Sequence, residues 1–157
     1  MQPQVGILMG SKSDAELMSE ASKILEQFAI PHETRVLSAH RSPNATLEYV
    51  QAAESRGLKV IIAGAGAAAH LAGFLAAHTV LPVIGVPVDS SPLKGMDSLL
   101  ATVQMPPGVP VGCMAVGKAG ARNAGLFAVA ILALGNPELA EKLKQYRRQM
   151  EQEIVGG

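Results

Sequence analysis

The residues able to do chemistry fall into three short segments, each just after a stretch that reads as a β-strand. They are Met9-Gly10-Ser11-Lys12-Ser13-Asp14, Ser38-Ala39-His40-Arg41-Ser42-Pro43 and Ala63-Gly64-Ala65-Gly66-Ala67-Ala68-Ala69-His70. In the first, a strand-to-helix turn exposes backbone N–H groups, a natural anion site, and the hydroxyls of Ser11 and Ser13 add donors for a phosphate. Asp14 would repel phosphate and suits sugar hydroxyls, which it can accept hydrogen bonds from. The plainer alternative is that Ser13 and Asp14 only cap the following helix. Arg41 carries a planar fork that grips a phosphate or carboxylate, and an imidazole such as His40 can give and take a proton around neutrality. His70 follows a small-residue loop that lets a ligand come close to the backbone; it is either a ligand contact or a satisfied helix histidine.

The elements that must position these residues follow from hydrophobic periodicity. Residues 5–9 read as a strand buried on both faces, and Ser13 with Glu16 forms an S-x-x-E capping box before a helix with an apolar face at Leu17, Ala21, Ile24, Leu25 and Phe28. Ile30-Pro31 breaks that helix, and residues 33–37 form a second strand. Ser42 and Pro43 open a second helix running to about residue 55. Further strands are expected over 60–63, 82–86 and 111–116, with helices near 68–77, 95–103, 119–134 and 138–153. Strands alternating with helices imply a doubly wound α/β domain, a flavodoxin-like three-layer sandwich with a five-stranded parallel sheet and an extra C-terminal helix. In such a sheet the carboxyl ends of the strands share one crevice, so the three segments meet there. The expected organisation is a single domain over residues 1–157, with a core to residue 135 and a terminal helix over 136–157.

Composition narrows the function classes. The chain is 48% hydrophobic and 17% charged, as a packed globule requires. Thirteen basic and thirteen acidic residues cancel and interleave, aromatics are 3%, and Trp is absent, which argues against nucleic acid as a partner. The single cysteine, Cys113, cannot form an intrachain disulfide and reads as a small hydrophobe in a reducing compartment. The first residues lack the features of a signal peptide, and the apolar run from Ala124 to Leu134 falls short of the roughly 20 residues that span a bilayer. A soluble, cytoplasmic protein with no membrane contact is expected. His32 and His78 have no supporting context and read as structural or surface residues. No His or carboxylate pair has metal-ligand spacing.

Two late helices bear on assembly. The one from about Ala119 to Leu134 is apolar on nearly every face after Asn123, and such a helix needs burial all round. The terminal helix is charged, with a thin stripe at Leu139, Leu143 and Tyr146, and is suited to docking on a neighbouring subunit. A homo-oligomer is the expectation. A competing signal is Gly64-x-Gly66-x-x-Ala69 with Asp89 about twenty residues on, which matches a dinucleotide-binding fingerprint in outline. It falls on the third βα unit, and five strands leave no substrate half for it.

Together these segments resemble the class I N5-carboxyaminoimidazole ribonucleotide mutases, the PurE family. The resemblance runs from Val5 to about Leu134 and includes MGSKSD (9–14), SAHR (38–41), the glycine-alanine loop (63–70), PVIGVPV (82–88), GMDSLL (95–100), VQMP (103–106) and VGKAGARNAGL (116–126). It implies an isomerase of purine biosynthesis that moves a carboxyl group from an exocyclic amine to ring carbon C4 of an aminoimidazole ribotide, with no cofactor and no metal. By the same resemblance, Ser11, Asp14 and Arg41 bind the ribose 5-phosphate portion, and Ser38, Ala65, Gly66 and His70 line the carboxylate pocket. His40 is the acid and base, and the nucleotide-binding subunits form a homooctamer. Ala67 and Ala72 depart from the glycine and proline usual in this loop, and Ser42 and Asn44 from Thr and Asp. A second class in the family uses free carbon dioxide with aminoimidazole ribotide and carries a different third loop; Ala68-Ala69-His70-Leu71 favours the mutase. A non-catalytic flavin- or nucleotide-binding module of the same fold is the alternative outside enzymes.

Overall fold

The computed structural model describes residues 1–157. Five strands form one wholly parallel sheet: β1 (Val5–Met9), β2 (His32–Val36), β3 (Val60–Gly66), β4 (Val83–Val88) and β5 (Gly112–Cys113). Their spatial order is β2-β1-β3-β4-β5. Six helices connect or follow them: α1 (Ala15–Gln27), α2 (Pro43–Ala52), α3 (Leu71–Ala76), α4 (Met96–Val103), α5 (Lys118–Ala133) and α6 (Pro137–Gly156).

Side chains alternate across a strand, and this alternation divides the core into two. Val5, Ile7, Met9, Val60, Ile62, Ile84 and Val86 face α1 and α5, meeting Met18, Ile24, Leu25, Ala121, Ala124 and Val129. Leu8, Ile61, Ala63 and Val83 face the other way, onto Val50, Ala53, Leu71 and Leu75 of the α2–α3 side. β1 and β4 are buried throughout, whereas β2 is an exposed edge. That edge is fastened by Glu33, which accepts a hydrogen bond of 2.8 Å from Tyr49 and pairs with Arg56. The result is the flavodoxin-like three-layer α/β sandwich expected from the sequence.

Local details differ from the sequence expectation. The S-x-x-E capping box does not form: Ser11, not Ser13, caps a 3-10 turn over Lys12–Asp14, and Glu16 pairs with Lys118 at 3.2 Å. Ser42 precedes α2 but does not cap it, because its hydroxyl turns back to Ser38. β3 runs on to Gly66, so both glycines of the outline dinucleotide fingerprint lie within a strand instead of a phosphate-binding turn. α3 is correspondingly short. β5 is two residues long, since only Ile84 and Gly85 of β4 pair with it.

The terminal helix packs on its own chain through its first half. Leu139 is buried in the core, Leu143 and Tyr146 lie against it, and the Tyr146 ring tilts against Phe28 at 5.6 Å. Met150, Ile154 and Val155 farther along are exposed, as are Phe127 and Leu134 of α5. No helix is long and apolar enough to cross a membrane.

Ala67, just beyond β3, has φ +50°. A non-glycine residue in the left-handed region is disfavoured by roughly 1–2 kcal/mol, whereas glycine loses about 0.4–1 kcal/mol more unfolded-state entropy than alanine. Relief of the steric term outweighs the entropic one. Ala67→Gly is therefore expected to stabilise the fold by about 0.5 kcal/mol, a rise of about 1–2 °C in a chain of this size. A lowered melting temperature would contradict this account of the loop.

Candidate active site

Each segment singled out in the sequence leaves the carboxyl end of a strand, and cross-links hold the three together. Gly10 N–H donates to the Gly64 carbonyl at 3.1 Å, and Leu37 N–H to the Met9 carbonyl at 2.9 Å. Both bonds extend the sheet pairing into the loops. Within the first loop the Ser11 and Ser13 hydroxyls lie 2.9 Å apart, and Ser13 N–H donates to Ser11 Oγ at 3.4 Å. Two hydroxyls and the start of the 3-10 turn and α1 thus sit side by side.

The second loop is a compact knot of serine hydrogen bonds. Ser38 N–H donates to Ser42 Oγ at 2.9 Å, and Ser42 Oγ donates back to the Ser38 carbonyl at 3.1 Å. Arg41 N–H donates to Ser38 Oγ at 3.1 Å, and buried Thr46 donates to the Ser42 carbonyl at 2.8 Å. His40 and Arg41 are thereby presented by a rigid turn. Arg41 Nη2 donates to the Gly10 carbonyl at 2.7 Å, which ties the second loop to the first. His40 Nε2 lies 2.8 Å from Nδ1 of His70, with the rings nearly perpendicular and their centroids 4.8 Å apart. This bond ties the second loop to the third.

Asp14 stands apart electrostatically. It is only 5% exposed, and its carboxylate accepts no hydrogen bond from within the chain. Burial pushes its pKa above the ordinary aspartate value, and the nearby Arg41 guanidinium pulls it back only in part. Its oxygens border the open cavity, where hydroxyl donors from a ligand would supply the hydrogen bonds a partly desolvated carboxylate lacks.

All nine residues predicted from the sequence (Ser11, Ser13, Asp14, Ser38, His40, Arg41, Ala65, Gly66 and His70) line a single cavity of about 410 Å³. Sequence reasoning missed Ser90 and Leu71, which line it too. Ser90 follows β4, and the available signal was that β4 ends on the same edge as β1 and β3. His32 and His78 lie elsewhere. His32 is held by Ser22 at 2.6 Å and by the Ile30 carbonyl, and His78 packs against Phe74. No three His, Cys, Asp or Glu side chains are grouped so as to hold a metal ion.

A cleft of this size, with an arginine, an unpaired carboxylate, several hydroxyls and a positioned imidazole, places the molecule among α/β proteins that act on a small, polar, anionic ligand. Comparison with known proteins narrows that class. The family model for AIR carboxylase matches residues 4–153. A relative from Pyrococcus abyssi called N5-carboxyaminoimidazole ribonucleotide mutase is 57% identical, covering 95% of this chain and 84% of its own. One from Bacillus subtilis, with the same name, is 56% identical over 99% of this chain and 96% of its own. The crystal structure of Treponema denticola PurE superposes with a TM-score of 0.88 at 28% identity, covering 98% of this chain and 95% of that one. The chain belongs to the AIR carboxylase family.

The Asp14 environment has a consequence for stability. A carboxyl group whose folded-state pKa is raised opposes folding once it ionises, so its penalty appears as pH rises above the ordinary aspartate range. Asp14→Asn removes that charge. The variant is expected to resist urea better than the parent at pH 7, and the difference should shrink as pH falls through the carboxylate range. A variant less stable than the parent at pH 7 would refute the desolvated-carboxylate reading.

Proposed function

We infer that this chain is an isomerase of purine biosynthesis that converts N5-carboxyaminoimidazole ribonucleotide to 4-carboxy-5-aminoimidazole ribonucleotide. The observation that carries the reading is the match, at 56–57% identity over 95% or more of the chain, to relatives bearing the name of that mutase. A cavity with the right polar groups supports it. The ribose 5-phosphate sits against Ser11, Ser13 and Arg41, with Asp14 taking the sugar hydroxyls. Ser38, Ala65, Gly66 and His70 surround the carboxyl group, and His40 faces the heterocycle.

The reaction proceeds in two halves. The bond between the exocyclic nitrogen and the carboxyl carbon breaks, its electron pair stays on nitrogen, and His40 supplies the proton that nitrogen takes up. Carbon dioxide is then attacked by ring carbon C4, a new carbon–carbon bond forms, and the C4 proton returns to His40. Atoms, charge and protons balance over the cycle. The chemical gain comes from confinement, because holding carbon dioxide beside C4 replaces a bimolecular encounter by a positioned one, worth up to about 7–11 kcal/mol in the best-oriented cases. A wall of alanine and glycine suits a neutral gas molecule, which needs no solvating partner.

The working form is proposed to be a homo-oligomer, an octamer by family resemblance. Supporting this are the apolar residues left uncovered on successive helices: Met96, Leu100 and Val103 of α4, Phe127 of α5, and Leu134 just beyond it. Large apolar side chains left exposed in this way are surface that a neighbouring subunit would cover. Sedimentation velocity at micromolar concentration should detect a species several times 16.3 kDa. A stable monomer would contradict it.

The catalytic assignment is tested with His40→Asn. Turnover of the carbamate substrate should fall below detection while substrate affinity stays within about tenfold, since proton transfer and not grip is lost. Near-normal rates would remove His40 from the reaction. Feeding the parent enzyme each substrate in turn tests the reaction itself. Efficient use of aminoimidazole ribonucleotide with bicarbonate, and none of the carbamate, would replace the mutase by a carboxylase.

A further inference from the structure

The fourth strand contributes a group to the cavity that the proposed mechanism does not use. Ser90 lines the cavity two residues beyond Val88, whose register partner on β3 is Gly66. From there its hydroxyl folds over the third loop, so close that a Cβ built on Gly66 would lie 2.0 Å from Ser90 Oγ. Glycine at position 66 is what lets this hydroxyl stand against the loop backbone.

The neighbouring hydroxyls are all committed to structure. Ser91 donates to Asp97 at 2.6 Å, and Ser98 donates to the Val88 carbonyl at 2.8 Å. Across the cavity, Ser42 Oγ is tied to the Ser38 backbone, while Ser38 Oγ accepts from Arg41 N–H and keeps its own proton for the ligand. Ser90 Oγ alone of these engages no partner within the chain. It is an exposed donor and acceptor at the cavity wall, next to the Ala65–Gly66 segment that the proposed function sets around the carboxyl group.

We propose that Ser90 is a substrate-contacting residue whose hydroxyl donates a hydrogen bond to the carboxyl group in transit. The inference rests on the mutase reading and deepens it. In the ground state the hydroxyl meets a carboxylate oxygen of the carbamate. After the N–C bond breaks it remains beside an oxygen of carbon dioxide, and it meets a carboxylate again when the C4–C bond has formed. Ser90 exchanges no proton with the substrate. Its contribution is retention: it lowers the chance that carbon dioxide leaves before C4 attacks.

Retention has a readout separate from rate. Each escape of carbon dioxide yields aminoimidazole ribonucleotide in place of the 4-carboxy product, so the ratio of the two measures leakage. Parent, Ser90→Ala and Ser90→Thr enzymes would be assayed with the carbamate, subtracting its spontaneous breakdown, alongside thermal unfolding. For Ser90→Ala, we expect roughly tenfold slower formation of the 4-carboxy product, as loss of one hydrogen bond to a charged group implies. Decarboxylated ribotide per turnover should rise several-fold, at an unchanged melting temperature. Ser90→Thr keeps the hydroxyl and should return both quantities toward the parent.

Rates and leakage within twofold of the parent for Ser90→Ala would overturn the proposal. So would a slower reaction without added leakage, which would place the hydroxyl on another part of the substrate. Equal losses in Ser90→Ala and Ser90→Thr would assign the effect to side-chain size and overturn it as well. A parent enzyme that does not isomerise the carbamate at all would instead sink the mutase reading on which this one stands.

Discussion

In-register parallel pairing is the constraint on which the site depends. Met9, the last residue of β1, pairs with Val36 on one side and Gly64 on the other, and Gly64 in turn pairs with Val86. The chain therefore leaves β1 and β2 at one level while β3 runs two residues further beside β4, and the loops begin with their backbones already in hydrogen-bonding reach. A one-residue slip of any strand would turn its side chains to the opposite face. Val5, Ile7 and Met9 would then lose the α1–α5 core, which makes the register energetically stringent. Placement of the loops is thus inherited from burial of apolar side chains well away from the chemistry.

On that frame the cavity combines one conflict with one rigid device. Asp14 is a charge in a poorly solvated place, offset only in part by Arg41. Folding alone would favour a neutral residue there, so the carboxylate fits a site organised for a ligand rather than for stability. The rigid device is the Ser38–Ser42 knot. Its backbone and hydroxyl bonds fix the turn that carries His40 and Arg41, and Arg41 is anchored further by the Gly10 carbonyl. A guanidinium already oriented by one bond loses less freedom when it meets an anion.

The fold class, and the meeting of the three polar segments at one edge of the sheet, were legible in the sequence because both rest on strong, local patterns. Continuous apolar runs such as residues 60–63 mark buried parallel strands, and polar loops after them must lie on the carboxyl edge. What was not legible depends on competition between partners. Ser13 and Glu16 satisfy a capping pattern, yet Ser11 takes the cap and Lys118, more than a hundred residues away, takes Glu16. Ser42 likewise prefers Ser38 to its own helix. Gly64 and Gly66 read as a turn, but β3 continues through them because β4 offers Val86 and Val88 as partners. Ser90 went unnoticed for a related reason. Nothing in Asp89-Ser90-Ser91 distinguishes the serine that faces the cavity from the one that bonds Asp97.

The His40–His70 pair explains how a loop imidazole can be aimed at all. Both side chains are exposed, and free rings at such positions would sample several rotamers. A nitrogen–nitrogen separation of 2.8 Å requires one ring to donate and the other to accept. The bond therefore holds a single proton and persists only while at least one facing nitrogen is unprotonated. It also leaves Nδ1 of His40 and Nε2 of His70 as the ring nitrogens not engaged by the partner. The third loop thus orients the imidazole of the second, the ring to which the proposed function gives the proton transfers.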